Sequence, residues 1–168
     1  ETGNSIRSHA VVNGRTTIGK SNQIFQLSSI SEQTQDKKYA GEDTELIIGD
    51  NSTSRELCTF SRGWAQGGGA TRIGNNNWIM ACVHIAHDCV LGDNIIMANN
   101  TSLAGHVTIG DNAILSGYSL IHQFCSVGEY SFTSFASYVN KSIPPYVTVA
   151  GEKARAKGIN SEGLKRHG

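Results

Sequence analysis

From Ile73 to Val139, every sixth residue of the chain but one is aliphatic or methionine. The series runs Ile73, Ile79, Ile85, Leu91, Met97, Leu103, Ile109, Leu115, Ile121, Val127, Thr133, Val139. The position four residues later is mostly small or β-branched: Val83, Cys89, Ile95, Thr101, Val107, Ala113, Ser119, Cys125, Ser131, Ser137. The position one later is mostly Gly, Ala or Ser. A short repeat of this kind specifies a stacked architecture before anything else. It is the hexapeptide pattern of a parallel β-helix, and twelve consecutive units leave little room for chance.

A longer period lies on top. Ile73-Gly74, Leu91-Gly92, Ile109-Gly110 and Val127-Gly128 recur every 18 residues. Three sextets therefore make one coil with three flat faces, and coils stack at β-sheet spacing, about 4.8 Å. One coil cannot bury its own inner residues, so stacking supplies the core. Three-sided coils of this type wind left-handed, against the usual right-handed crossover preference. The expected fold is all-β: a three-sided, left-handed parallel β-helix. The same phase holds upstream at Ile6, Val12, Ile18, Ile24, Ile30, then Ile48, Ser54 and Phe60. Two loop insertions interrupt it, one holding TQDKKYAGEDTE and one holding WAQGGGAT. With the sextets of Ile73, Ile79 and Ile85 defining faces a, b and c, both loops leave from the corner between c and a. Insertions confined to one side of a repeat array often mark the binding side.

The 168 residues suffice for one domain with a sizeable core. They divide into a β-helix over 1–150 and the start of a C-terminal segment over 151–168. Fourteen basic and fourteen acidic residues cancel, so a nucleic-acid-binding protein is not expected. No apolar run approaches the roughly 20 residues of a membrane span. The first residue is Glu1, which reads as a trimmed or fragmentary start. Cys58, Cys82, Cys89 and Cys125 show no C-x-x-C spacing, as for buried thiols in a reducing compartment. Cys89 and Cys125 lie two coils apart, roughly 9.6 Å, beyond the roughly 7 Å reach of a disulfide.

The stretch HIAHDC, residues 84–89, places two histidines three apart. Subtracting coils of 18 maps His106 and His122 to within one residue of His87. Three successive coils thus carry a histidine column on face c. The column fits three surface histidines, a zinc site or a general base, neutral near pH 7 at an ordinary pKa of about 6.5.

Further stretches carry a family resemblance: QDKKYAGE (35–42), RGWAQGGG (62–69), HIAHDCVLGDN (84–94), ANNTSLAGHV (98–107), HQFCSVG (122–128), IPPYV (143–147) and NSEGLKRHG (160–168). In this order and number they resemble the UDP-N-acetylglucosamine O-acyltransferases that begin lipid A synthesis in Gram-negative bacteria. The resemblance implies a cytoplasmic homotrimer with active sites between subunits. It implies transfer of a 3-hydroxyacyl group from acyl carrier protein to the sugar 3-hydroxyl of UDP-N-acetylglucosamine, with no metal, no cofactor and no covalent acyl-enzyme. By the same resemblance His87 is the general base, Asp88 orients it, and the Gly105 N–H stabilises the oxyanion. Asp36, Lys38 and His84 line the donor and sugar pocket, while His106, His122 and Gln123 contact the acyl and nucleotide parts. Asn160, Glu162 and Arg166 grip the nucleotide from a neighbouring subunit, and Phe135 stands at an acyl-length ruler.

The chain departs from the family pattern in two places. His167 replaces an arginine expected to meet the diphosphate, and Trp64 replaces a small residue after Arg62-Gly63. Family members also carry about two more coils at the start and a domain of several helices at the end. The rival readings are the related hexapeptide N-acyltransferase of the same pathway and a non-catalytic trimeric scaffold. The acceptor, a hydroxyl or an amine, separates the two enzymes.

Overall fold

In a computed structural model, the structure describes residues 3–167; the side chain of His167 lies outside the described residues. Strands of two to five residues form three sheets, one per face, of six, nine and seven strands for a, b and c. The fold is the left-handed parallel β-helix expected. Register follows the six-residue series residue for residue. Ile73, Leu91, Ile109 and Val127 stack on face a, each paired with the next. Ile79, Met97, Leu115 and Thr133 stack on face b, and Ile85, Leu103, Ile121 and Val139 on face c. The upstream phase is equally in step, with Ile48 against Ile73 and Phe60 against Ile85.

Each sextet turns a corner through one residue with left-handed φ, near +54 to +63° from Asn76 to Ala136. That conformation costs an L-residue roughly 1–2 kcal/mol, and asparagine, which tolerates it best, holds positions 76, 94, 100 and 112. Immediately after the corner comes the small inner residue. Val83, Cys89, Ile95, Thr101, Val107, Ala113, Ser119, Cys125, Ser131 and Ser137 are all buried beside the aliphatic column. Fully burying each Ile or Leu contributes about 1.5–3 kcal/mol, which offsets the strained corners.

No cysteine is bonded to another: Cys58, Cys89 and Cys125 are buried and Cys82 is exposed. Burial pushes the thiols of Cys58 and Cys89 up to about 12, so they fill the core as unreactive groups.

Both loops leave from the corner between faces c and a: residues 33–44 join strand Ser29–Glu32 to Glu45–Ile48, and residues 62–69 join Thr59–Ser61 to Ala70–Ile73. The segment after 150 contains an element absent from the sequence reading. Strand Arg155–Ile159 runs antiparallel to Val147–Ala150 and extends face b, and the one α-helix among the described residues, Ser161–His167, follows. Among the described residues no helix is long and apolar enough to cross a membrane.

Candidate active site

Successive coils place His87-Asp88, Gly105-His106 and Gln123-Phe124 above one another as the corner turns from c to a. The His106 N–H donates to the His87 carbonyl and the Phe124 N–H to the Gly105 carbonyl, fixing the stack. Gly105 is where the backbone must carry no side chain. A Cβ there would stand 2.6 Å from Cε1 and 2.7 Å from Nε2 of His87, whose ring leans across that space. The Gly105 N–H meets no acceptor among the described residues.

His87 Nδ1 lies 2.8 Å from Asp88 Oδ2, and the Asp88 side chain is 2% exposed. Asp88 is therefore a sequestered partner of the imidazole. If Nδ1 donates to the carboxylate, Nε2 carries the lone pair. Both Asp88 oxygens also accept the Trp64 N–H, at 3.0 and 3.1 Å. The Trp64 ring meets His87 edge to face at 6.0 Å, and its indole N–H is buried without a partner among the described residues.

The histidine column differs from the expectation. His87 and His106 do meet, edge to face, with ring centroids 5.0 Å apart. The next ring is Phe124, parallel to His106 at 4.5 Å. His122 stands two residues before the left-handed corner, whereas His106 occupies the corner itself, so the two rings point differently. His122 Nδ1 bonds the Gln123 carbonyl at 3.2 Å and its ring faces Tyr138 at 6.5 Å. With His84, Ser102, Ala104, Leu120 and Tyr138 it lines a mainly apolar groove of about 390 Å³ on face c. His84 Nδ1 contacts the Thr59 hydroxyl at 2.7 Å. Burial, then the neighbouring His87, hold the His84 pKa below its ordinary value.

Other predicted residues lie apart from this centre within one chain. Asp36 caps the first loop by accepting the Lys38 N–H at 2.8 Å, and neither residue bonds to a histidine. Glu162 and Arg166 line a groove of about 410 Å³ on face b with Ile114, Phe132 and Thr148. Asn160 has a structural task the sequence reading lacked. Its Oδ1 accepts the Gly163 N–H at 3.1 Å, capping the helix, and its Nδ2 donates to the Tyr130 carbonyl at 2.8 Å. Phe135 is 70% exposed at the corner between b and c, edge-on to Tyr118 at 5.6 Å. Of its aromatic neighbours in sequence, Phe132 faces the face-b groove and Tyr138 the face-c groove.

His87, Asp88 and His106 bring ligand atoms within 4.8 Å of one another, the one such cluster among the described residues. Both Asp88 oxygens already bind N–H donors, so a cation there would have to displace the Trp64 amide or the imidazole. The sequence reading also missed Trp64 as a partner of Asp88, Gly67 beside it, Thr59 and Phe124. The only sequence signal for the first two was their place in an insertion at the histidine corner.

Residues 70–105 match the family described as bacterial transferase hexapeptide (six repeats). Residues 143–168 match the one described as UDP-N-acetylglucosamine O-acyltransferase, domain 2. The acyl-[acyl-carrier-protein]–UDP-N-acetylglucosamine O-acyltransferase of Herminiimonas arsenicoxydans is 55% identical over 150 residues, 89% of this chain and 57% of that protein. The solved LpxA of Acinetobacter baumannii superposes with a TM-score of 0.98 at 49% identity, covering 99% of this chain and 65% of that one. The UDP-N-acetylglucosamine O-acyltransferase (LpxA) of Moraxella catarrhalis gives a TM-score of 0.84 at 41% identity, covering all of this chain and 75% of that one. The chain thus spans somewhat over half the length of the curated relatives it matches.

Proposed function

The chain belongs to the UDP-N-acetylglucosamine O-acyltransferase family, and from that premise we propose that it moves a 3-hydroxyacyl group from acyl carrier protein to the 3-hydroxyl of UDP-N-acetylglucosamine, the first step of lipid A synthesis in the cytoplasm. The observation that carries the reading is the 2.8 Å contact of His87 Nδ1 with the sequestered Asp88 carboxylate. With Nδ1–H held there, His87 Nε2 takes the proton of the sugar hydroxyl as its oxygen attacks the thioester carbon. The tetrahedral oxyanion accepts the unpaired Gly105 N–H. Collapse breaks the C–S bond, and the proton on Nε2 passes to the leaving sulfur. No metal or cofactor enters these steps.

The same reading makes the active species a homotrimer. Glu162 and Arg166 sit on face b, whereas His87 sits at the corner between c and a. A nucleotide grip serves His87 only when a second copy supplies it. Exposed Val90, Leu120 and Phe124 near the histidine corner give that copy apolar surface to cover. Purified protein assayed with acyl carrier protein thioester and UDP-N-acetylglucosamine tests the activity, and no transfer to the sugar hydroxyl overturns it. Light scattering tests assembly: a monomer competent in transfer overturns the shared site. Mixing His87→Ala with Arg166→Ala chains should restore part of the activity that each lacks alone.

A further inference from the structure

We propose that the second loop is a positioning device for the His87–Asp88 pair, with Trp64 acting through its backbone N–H and Gly67 through its lack of a side chain. The inference rests on His87 being the general base and goes beyond it.

The terminal torsion of an aspartate is broad and soft. A carboxylate beside an imidazole therefore needs something to fix its rotation. The backbone of Asp88 is held by its own N–H, which donates to Thr71 Oγ1 at 2.9 Å. Its carboxylate plane is held by the Trp64 N–H, shared between Oδ1 and Oδ2 at 3.1 and 3.0 Å. A donor placed between both oxygens leaves one orientation, and in that orientation Oδ2 faces His87 Nδ1.

The turn Ala65–Gly67 then presses on the pair from outside. A Cβ on Gly67 would collide with Asp88 Oδ2 and Cγ and with Cε1 of His106. The backbone of the turn thus reaches a carboxylate that would otherwise meet water. Gly67 has no left-handed φ, unlike Gly68 at +116° and Gly69 at +79°, so alanine at 67 perturbs space alone. The Gly67 and Gly69 N–H groups both return to the Trp64 carbonyl, at 2.8 and 3.0 Å. Lifting Gly67 therefore moves Trp64 and its N–H as well.

The test uses Gly67→Ala, Trp64→Pro (which removes the N–H) and Gln66→Ala, an exposed position on the same turn, each checked for assembly and thermal unfolding. The expected result for Gly67→Ala is a kcat lower by about 10- to 100-fold, the scale of a displacement near 1 Å, with KM for both substrates little changed. Added to His87→Ala it should cost nothing further. Nitrogen-15 NMR of the histidine rings should show His87 protonated at Nδ1 in the parent and a mixture of tautomers in Gly67→Ala. Folded Trp64→Pro should behave like Gly67→Ala, and Gln66→Ala like the parent. Unchanged kcat and tautomer in Gly67→Ala, or an equal loss in Gln66→Ala, overturns the positioning role while an inactive His87→Ala leaves the general base standing. Full activity in His87→Ala overturns the general base itself.

Discussion

Asp93, at the corner from a to b, accepts the Asn75 N–H one coil below at 2.6 Å, and its own N–H goes to Asp111 Oδ1 one coil above at 2.8 Å. The ladder continues downward, with Asn75 Oδ1 accepting the Asp50 N–H at 2.8 Å and Asp50 Oδ1 accepting the Lys20 N–H at 2.7 Å. Gly74 and Gly92 leave the room these side chains fill. Asp88 turns the preceding corner, from c to a. There an inserted loop lies below it, and its carboxylate meets the Trp64 N–H and an imidazole. The two regions share a backbone and a residue type. They differ in what lies one coil away: a regular neighbour absorbs the carboxylate into the scaffold, whereas an insertion frees it to act on His87.

The largest break in that comparison should come from His87→Ala. Losing the base lowers kcat by about 10² to 10⁴-fold, while the face-c strands, whose core residues it does not touch, stay folded. Circular dichroism and steady-state kinetics on one preparation check both parts. Wild-type turnover would make the corner from c to a as structural as the corner from a to b.

The third corner, from b to c, sharpens the contrast on substrate length. Phe135 is exposed there against Tyr118. Acting as an acyl ruler, it would select donors shorter than a myristoyl-type chain. Each methylene that gains burial is worth about 0.8 kcal/mol, roughly fourfold in preference. Phe135→Gly should shift competition between thioesters of different length toward the longer ones, with the histidines unaffected. An unchanged preference would move the ruler elsewhere.

Asp93→Ala is the scaffold counterpart. Removing the acceptor of the Asn75 N–H and side chain should cost about 1–2 kcal/mol of stability, read as a lower denaturant midpoint. The kcat of the folded enzyme should stay as in the parent. A loss of kcat with an unmoved midpoint would reverse the assignment of the two corners.

The sequence carried the coil almost completely, because every sextet repeats one steric rule: an aliphatic residue inward, a corner, a small residue inward. Register could be counted from Ile6 to Val139, and both loops could be placed at one corner by arithmetic alone. The histidine corner was legible where it shared that arithmetic, as for His87 and His106 one coil apart, whereas Asp88 and Gly105 were singled out by the family resemblance alone. It was not legible where direction matters. His122 and His106 differ by two positions about a left-handed corner, enough to send one ring into the face-c groove and leave the other stacked on Phe124 and edge to face with His87. The Trp64 N–H is a backbone group in an insertion, with no residue type to announce it. Strand Arg155–Ile159 carries no six-residue signal because it pairs antiparallel at the edge of face b with all its residues exposed. Asn160 fits an N-cap by chemistry, but its bond to the Tyr130 carbonyl joins two segments whose approach only the fold determines.

His84 tests the comparison most gently, because it stands on the flat of face c, in the strand His84–Ile85 that leads to the His87 corner. Burial is the larger cause of its lowered pKa, His87 nearby adds to it, and contact with Thr59 opposes it. The unfolded chain therefore binds a proton at His84 more readily than the folded one. Where the unfolded state holds more protons, stability rises with pH. The stability that neutral His84 contributes is thus fully present above its ordinary value of 6.5 and is lost as pH falls through the lower folded value. His84→Gln removes this titration while keeping a polar side chain beside Thr59. Denaturant midpoints measured at about pH 7.5 and about pH 5.5 should fall less on acidification in the variant than in the parent. Equal falls would place the acid sensitivity of face c in other groups and leave His84 as pocket wall alone.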